Sequence, residues 1–171
     1  MKKIILLSLL SVFLLQGCFP WGENGDDVDL VDPVNSYDPV IMKRTAFEAT
    51  TSLENIPRTI VNSGKIYVKD EFIFVNEVNE GFHLINNSDP SNPENIGFIK
   101  VLGSSDLSIK ENIFYVNNAT DLIAFTIDQT TESLTITKRL ENVFPQIWSP
   151  EGFFYYDLEE DDIIINWELR N

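Results

Sequence analysis

One imidazole, His83, and one thiol, Cys18, stand among 27 carboxylates and 12 basic side chains in a chain of 171 residues. A nucleophile–His–acid relay therefore has to be built around His83. Its neighbours Phe82 and Leu84 suggest instead a ring that fills a pocket or lines a sheet face. Zinc takes nitrogen and sulfur ligands that a single His and a single Cys cannot supply, so no metal site is expected. No glycine-rich phosphate cradle or dinucleotide fingerprint occurs, and no cofactor is expected. Carboxylates are numerous enough for paired-acid glycoside hydrolysis, yet no spacing singles out a pair. Asp157, Glu159, Glu160, Asp161 and Asp162 lack the spacing and the turning glycine of a calcium loop, and read as a solvated hairpin tip. Asp89 is explained by a local hydrogen bond within its turn. Trp21, Trp148 and Trp167 offer faces for stacking on sugars; for the last two, core packing is an equal alternative.

The N-terminus has the build of a secretory signal. Lys2 and Lys3 precede an apolar run, Ile4 to Leu15, interrupted only by Ser8 and Ser11. The run is shorter than the ~20 residues needed to cross a bilayer as a helix. Leu15-Gln16-Gly17-Cys18 resembles the bacterial lipobox, with Gln16 in the place of the usual small residue. The resemblance implies cleavage between Gly17 and Cys18 and lipidation of Cys18. Several acyl chains on one residue make a stable anchor where one chain binds only marginally. With its thiol so used, Cys18 is excluded as a nucleophile, and no internal disulfide can form.

Cleavage leaves ten basic against 27 acidic residues, a net charge of about −17, which opposes the phosphate contacts of nucleic-acid binding. Three regions are expected: a signal at 1–17, an acidic tether at 18–39 and a folded body at 40–171. In the tether, Gly22, Gly25, Pro33 and Pro39 interrupt regular structure, and Asp26, Asp27, Asp29 and Asp32 repel one another. Acidic residues soon after a lipid-bearing Cys also resemble the surface-export signals of some Gram-negative lipoproteins. Surface display and an inward-facing anchor both stay open.

The body repeats itself. Val68 to Asn76 aligns with Ile109 to Asn117 at an offset of 41, and eight of the nine pairs are identical or chemically alike. Strands are expected at 65–69, 72–77, 81–86 and 95–102, then at 106–110, 113–117, 121–127 and 133–141. Lys69-Asp70-Glu71 and Lys110-Glu111-Asn112 read as hairpin turns, and Asn87 to Pro93 as a loop. Phe72 to Val75 and Ile113 to Val116 are continuously apolar and suggest strands buried on both faces. Ile66/Val68 and Leu134/Ile136 alternate as in peripheral strands. Four strands at a period near 40 make a propeller blade. The expected fold is all-β: a partial, open β-propeller of about two four-stranded antiparallel blades. A short helix at about Lys43 to Leu53 precedes them. A C-terminal hairpin of Gly152–Tyr156 and Asp162–Trp167 follows.

Tyr37 to Met42, Gly64 to Lys69, Gly81 to Pro90 and Asp121 to Phe125 resemble the LVIVD-repeat β-propeller lipoproteins over about residues 37 to 145. Asn86 and Thr126 stand where that family's repeat carries Asp. The resemblance implies a propeller-type fold, an envelope location in the outer membrane and no particular reaction. Two blades cannot close a ring, so unpaired strand edges are expected to support self-association or to meet a missing continuation. The expected function is a lipid-anchored, non-catalytic binding module that presents loop residues Asn87, Ser88, Asp89, Asn92 and Asn118 to a glycan or an envelope protein. The alternatives are a carboxylate-based glycan-processing enzyme and a shortened family member without independent activity.

Overall fold

The computed structural model of the chain describes residues 35–128 and 133–170. The signal region, Gly17, Cys18 and Trp21 lie outside the described residues, as does most of the expected tether. Two antiparallel sheets and one two-stranded ribbon carry the fold. In the first sheet, β3 (Ser63–Lys69), β4 (Phe72–Glu77), β5 (Gly81–Asn86) and β6 (Glu94–Lys100) form a meander, and β2 (Ser52–Glu54) adds a fifth strand against β6. In the second, β7 (Leu107–Lys110), β8 (Ile113–Asn118), β9 (Asp121–Asp128) and β10 (Ser133–Leu140) form the matching four-stranded meander. The repeat is thus a repeat of structure. Both first hairpins close over two residues, and Asp70 and Glu111 take the same left-handed conformation, φ 53° and 56°.

The meanders pack face to face because strand alternation turns one apolar side of each toward the other. Phe74, Phe82, Ile99 and Val101 from the first half meet Leu107, Phe114, Val116, Ile123 and Phe125 from the second in one core. Phe114 stacks on Phe125 at 5.2 Å and meets Phe74 edge-on at 5.4 Å, contacts worth roughly 0.5–1.5 kcal/mol each beyond their buried area. The first strands of the two meanders meet: the Tyr67 hydroxyl on β3 accepts from the Leu107 backbone N–H at 3.2 Å and bonds Asp106 just before β7. β2 touches β10 on the outer side. The continuous apolar run of β4 buries Phe74 and Val75 on both faces, whereas β8 alternates, with Phe114 and Val116 buried and Ile113 and Tyr115 half-exposed. β3 and β10 are edge strands, and Ile66 and Val68 on β3 are 65% and 68% exposed.

Three elements depart from the sequence expectation. The helix, α1 (Arg44–Glu48), stops after five residues: Thr50 donates from both its backbone N–H and its hydroxyl to the Phe47 carbonyl. Ala49 to Thr51 turn the chain, and Ser52 to Glu54 become β2 because they find a ladder on β6. The expected C-terminal hairpin does not form. β11 (Asp162–Leu169) pairs instead with β1 (Tyr37–Lys43), antiparallel from Tyr37–Leu169 to Lys43–Asp162 with a register shift between Val40 and Ile41. Gly152, at φ 83°, folds the first half of the expected hairpin into a tight turn, with Ser149 and Phe153 bonded across it. The strand at Tyr37 also begins inside the expected tether, secured where Arg170 clasps Asp38 at 2.6 Å.

The ribbon and α1 cover one end of the meander pair. Phe47, Ala119 and Ile163 form a second small core there, and Asn79 donates to Asn166 at 3.0 Å. The other end, with the hairpin tips at Asp70 and Glu111, is open.

Candidate functional site

At the open end the facing sides of the two sheets part, leaving a cleft of about 1050 Å³. Its floor is the top of the shared core: Phe72, Phe74 and Leu84 from the first sheet, Ile109, Phe114 and Ile127 from the second. Repeat geometry places these residues, since each meander brings the same hairpin and the same strand ends to this edge. Asn86 and Thr126 both line the cleft.

The rim is acidic. Asp70, Glu71, Glu111 and Asp128 line it against one cation, Lys69, whose ammonium pairs with Asp70. Lys110, beside Glu111, is on the opposite face of β7 from Ile109 and does not line the cleft. The predicted loop residues of the first repeat lie at this same end. The Asn87 backbone N–H donates to the carbonyl of the rim residue Glu71 at 2.7 Å. The Ser88 N–H donates to Asn86 Oδ1 at 3.0 Å, and the Ser91 N–H to Asp89 Oδ1 at 3.0 Å, while the Asn92 N–H closes the turn on the Asp89 carbonyl. Ser88, Asp89 and Asn92 are exposed, and their side chains are presented outward. Asn118 is a correction: it is fully buried at the capped end, donating to the Leu102 carbonyl at 2.7 Å. The β8–β9 turn that holds it is covered by Phe47 and Ile163, so it faces no ligand.

Among the described residues, the two buried carboxylates, Glu77 and Asp121, lie away from the cleft. On the outer face of the first sheet, Glu77 Oε2 sits 2.9 Å from Nε2 of the fully buried His83, which meets Phe98 edge-on at 5.0 Å. Burial pushes the Glu77 carboxyl up, but bonds from His83 and from the backbone N–H groups of Val61 and Asn62 bring it below its ordinary value. The pair pins the 58–62 segment across the sheet. Arg58 anchors the same segment by forking Glu54 at 2.7 and 2.8 Å and lying over the Phe98 ring at 4.2 Å. Asp121, also fully buried, accepts from Arg139 at 2.7 Å, Arg44 at 3.0 Å and the Asn142 N–H at 3.1 Å. Burial raises its carboxyl, and those three donors outweigh burial and lower it.

Lys43 lies 2.6 Å from Glu159 and 2.7 Å from Asp162, tying the acidic tip to β1. No group of three or more His, Cys, Asp or Glu side chains able to hold a metal ion occurs among the described residues. Trp167 is core, its Nε1 donating to the Ile147 carbonyl at 3.0 Å, whereas Trp148 is 56% exposed and packs on Phe154. The cleft itself escaped the sequence reading. Its signal is the 41-residue offset, which brings the tips at Lys69–Glu71 and Lys110–Asn112 to the same end of paired blades. No protein-family profile, no curated protein and no solved structure matches this chain.

Proposed function

We propose that the chain is a lipid-anchored binding module of the Gram-negative envelope, related to the LVIVD-repeat lipoproteins and held in the outer membrane through Cys18, that takes a glycan or protein ligand in the cleft between its two sheets. The observation that carries this reading is the separation of roles among the acids. The carboxylates at the cleft stand on its rim around an apolar floor, while the buried carboxylates, Glu77 and Asp121, are engaged elsewhere by internal donors. Acid catalysis on a glycan needs two carboxyls converging on one bond within a pocket. A concave apolar floor with a few polar groups at its margin suits recognition.

Two experiments test the two halves of the proposal. A Cys18→Ser variant is expected to leave the detergent phase on partition, and partition like the wild type would exclude the anchor. A photoreactive phenylalanine analogue at Phe72, in the cleft, is expected to give a discrete crosslinked adduct in intact cells, while the same analogue at Tyr115 on the outer face of β8 gives none. Equal adducts from both positions, or none from Phe72, would contradict the cleft assignment.

A further inference from the structure

We infer that the occupant of the cleft is a cationic amphipathic peptide segment, with apolar side chains set on the floor and Lys or Arg side chains reaching the rim. The inference rests on the binding reading above and goes on to name the ligand class. Charge complementarity is the first argument. The one ammonium lining the mouth is paired with Asp70, and Glu71 and Glu111 set a carboxylate on the rim from each repeat, so the rim presents negative charge from both repeats. A cleft of one sign with low-dielectric walls focuses its field on whatever enters. A fatty acid or another anionic amphiphile meets repulsion at that rim.

Size and shape are the second argument. A volume of about 1050 Å³ is just above the range of about 300–1,000 Å³ that small-molecule sites occupy. Six apolar side chains from two opposed sheets form its floor beneath a polar margin, which suits an occupant apolar on one side and charged on the other. The rim acids Glu71 and Glu111 stand at hairpin tips one repeat apart, one on each wall, and can meet cations on both sides of one extended segment.

The test uses the full-length chain in phosphatidylcholine nanodiscs and three fluorescent probes: a dodecapeptide alternating Leu and Lys, its Leu/Glu counterpart, and a labelled palmitate. The Leu/Lys peptide is expected to bind. The double variant Glu71→Gln/Glu111→Gln is expected to weaken it about tenfold, as does raising salt from about 0.05 to 0.5 M. The charge-matched control Glu160→Gln/Glu168→Gln is expected to leave it unchanged. Equal weakening by both double variants overturns the proposal, because the attraction then comes from net charge. Binding of Leu/Glu peptide or palmitate as tight as that of Leu/Lys overturns the cationic class and leaves the cleft as a binding site. Failure of all three probes overturns the cationic class too; a positive Phe72 crosslink would then preserve the binding reading, and a negative one would remove both.

Discussion

Asp121 ties together parts of the chain that are distant in sequence. It accepts from Arg139 on β10 and from Arg44 on α1, so one buried carboxylate joins the second sheet to the capping elements. Removing one partner of a buried ion pair leaves the others uncompensated, and Asp121→Ala is expected to cost about 3–5 kcal/mol in urea unfolding. Loss of under ~1 kcal/mol would contradict this role. The pH dependence follows from Asp121 and Glu77 together, whose carboxyls are held below their ordinary values in the fold. A lowered carboxyl gives stability that is present above its unfolded pKa, about 3.9 for Asp and 4.3 for Glu, and that is lost as pH falls through the lower folded value. Stability measured by denaturant titration is therefore expected to hold to about pH 5 and then to fall. Asp121→Asn is expected to start lower at neutral pH and fall less steeply on acidification. Neither carboxylate is legible as a partner in the sequence: the neighbours of His83 suggest a ring that fills a pocket or lines a sheet face, but its pairing with Glu77 depends on the β4–β5 register that sets Val75 opposite it.

Elements formed by local pattern were read closely, and elements formed by distant partners were not. The eight repeat strands follow from β-branched and aromatic runs with charged turns between them. β2 exists only because β6 offers an edge, and β11 only because β1 lies beside it, so neither the five-residue helix nor the ribbon could be read from its own segment. Close backbone approach adds a second nonlocal constraint. Gly103, at φ 70°, is so near the Ala119 backbone that a Cβ there would sit 2.7 Å from the Ala119 Cα. Gly103→Ala is expected to cost about 2–3 kcal/mol by thermal or chemical unfolding. The hairpin tip at Glu111 runs the other way. Its φ of 56° is a conformation that glycine adopts without a Cβ penalty. Glu111→Gly is expected to stabilise the chain by up to about 1 kcal/mol while weakening the Leu/Lys peptide, which would show a strained carboxylate kept for binding. Stabilisation with unchanged binding would mark the side chain as incidental to the cleft.

At the scale of the whole molecule, one core shared by two copies of a meander binds the halves into a single cooperative unit. Phe74 in the first sheet and Phe125 in the second both pack on Phe114. Phe125→Ala is expected to cost about 3–5 kcal/mol and to shift the unfolding of both sheets together. Two separated transitions, one per sheet, would contradict the shared core. The same arrangement generates the cleft, because sheets joined at the core and capped at one end part at the other. The most direct measurement of the central claim is amide chemical-shift mapping of the full-length chain in nanodiscs during titration with the Leu/Lys peptide. The account predicts perturbations gathered at Lys69–Phe72, Leu84–Asn86, Ile109–Phe114 and Thr126–Asp128. Perturbations gathered at Trp148–Tyr156 or along Ile66 and Val68, with these four stretches unmoved, would contradict it.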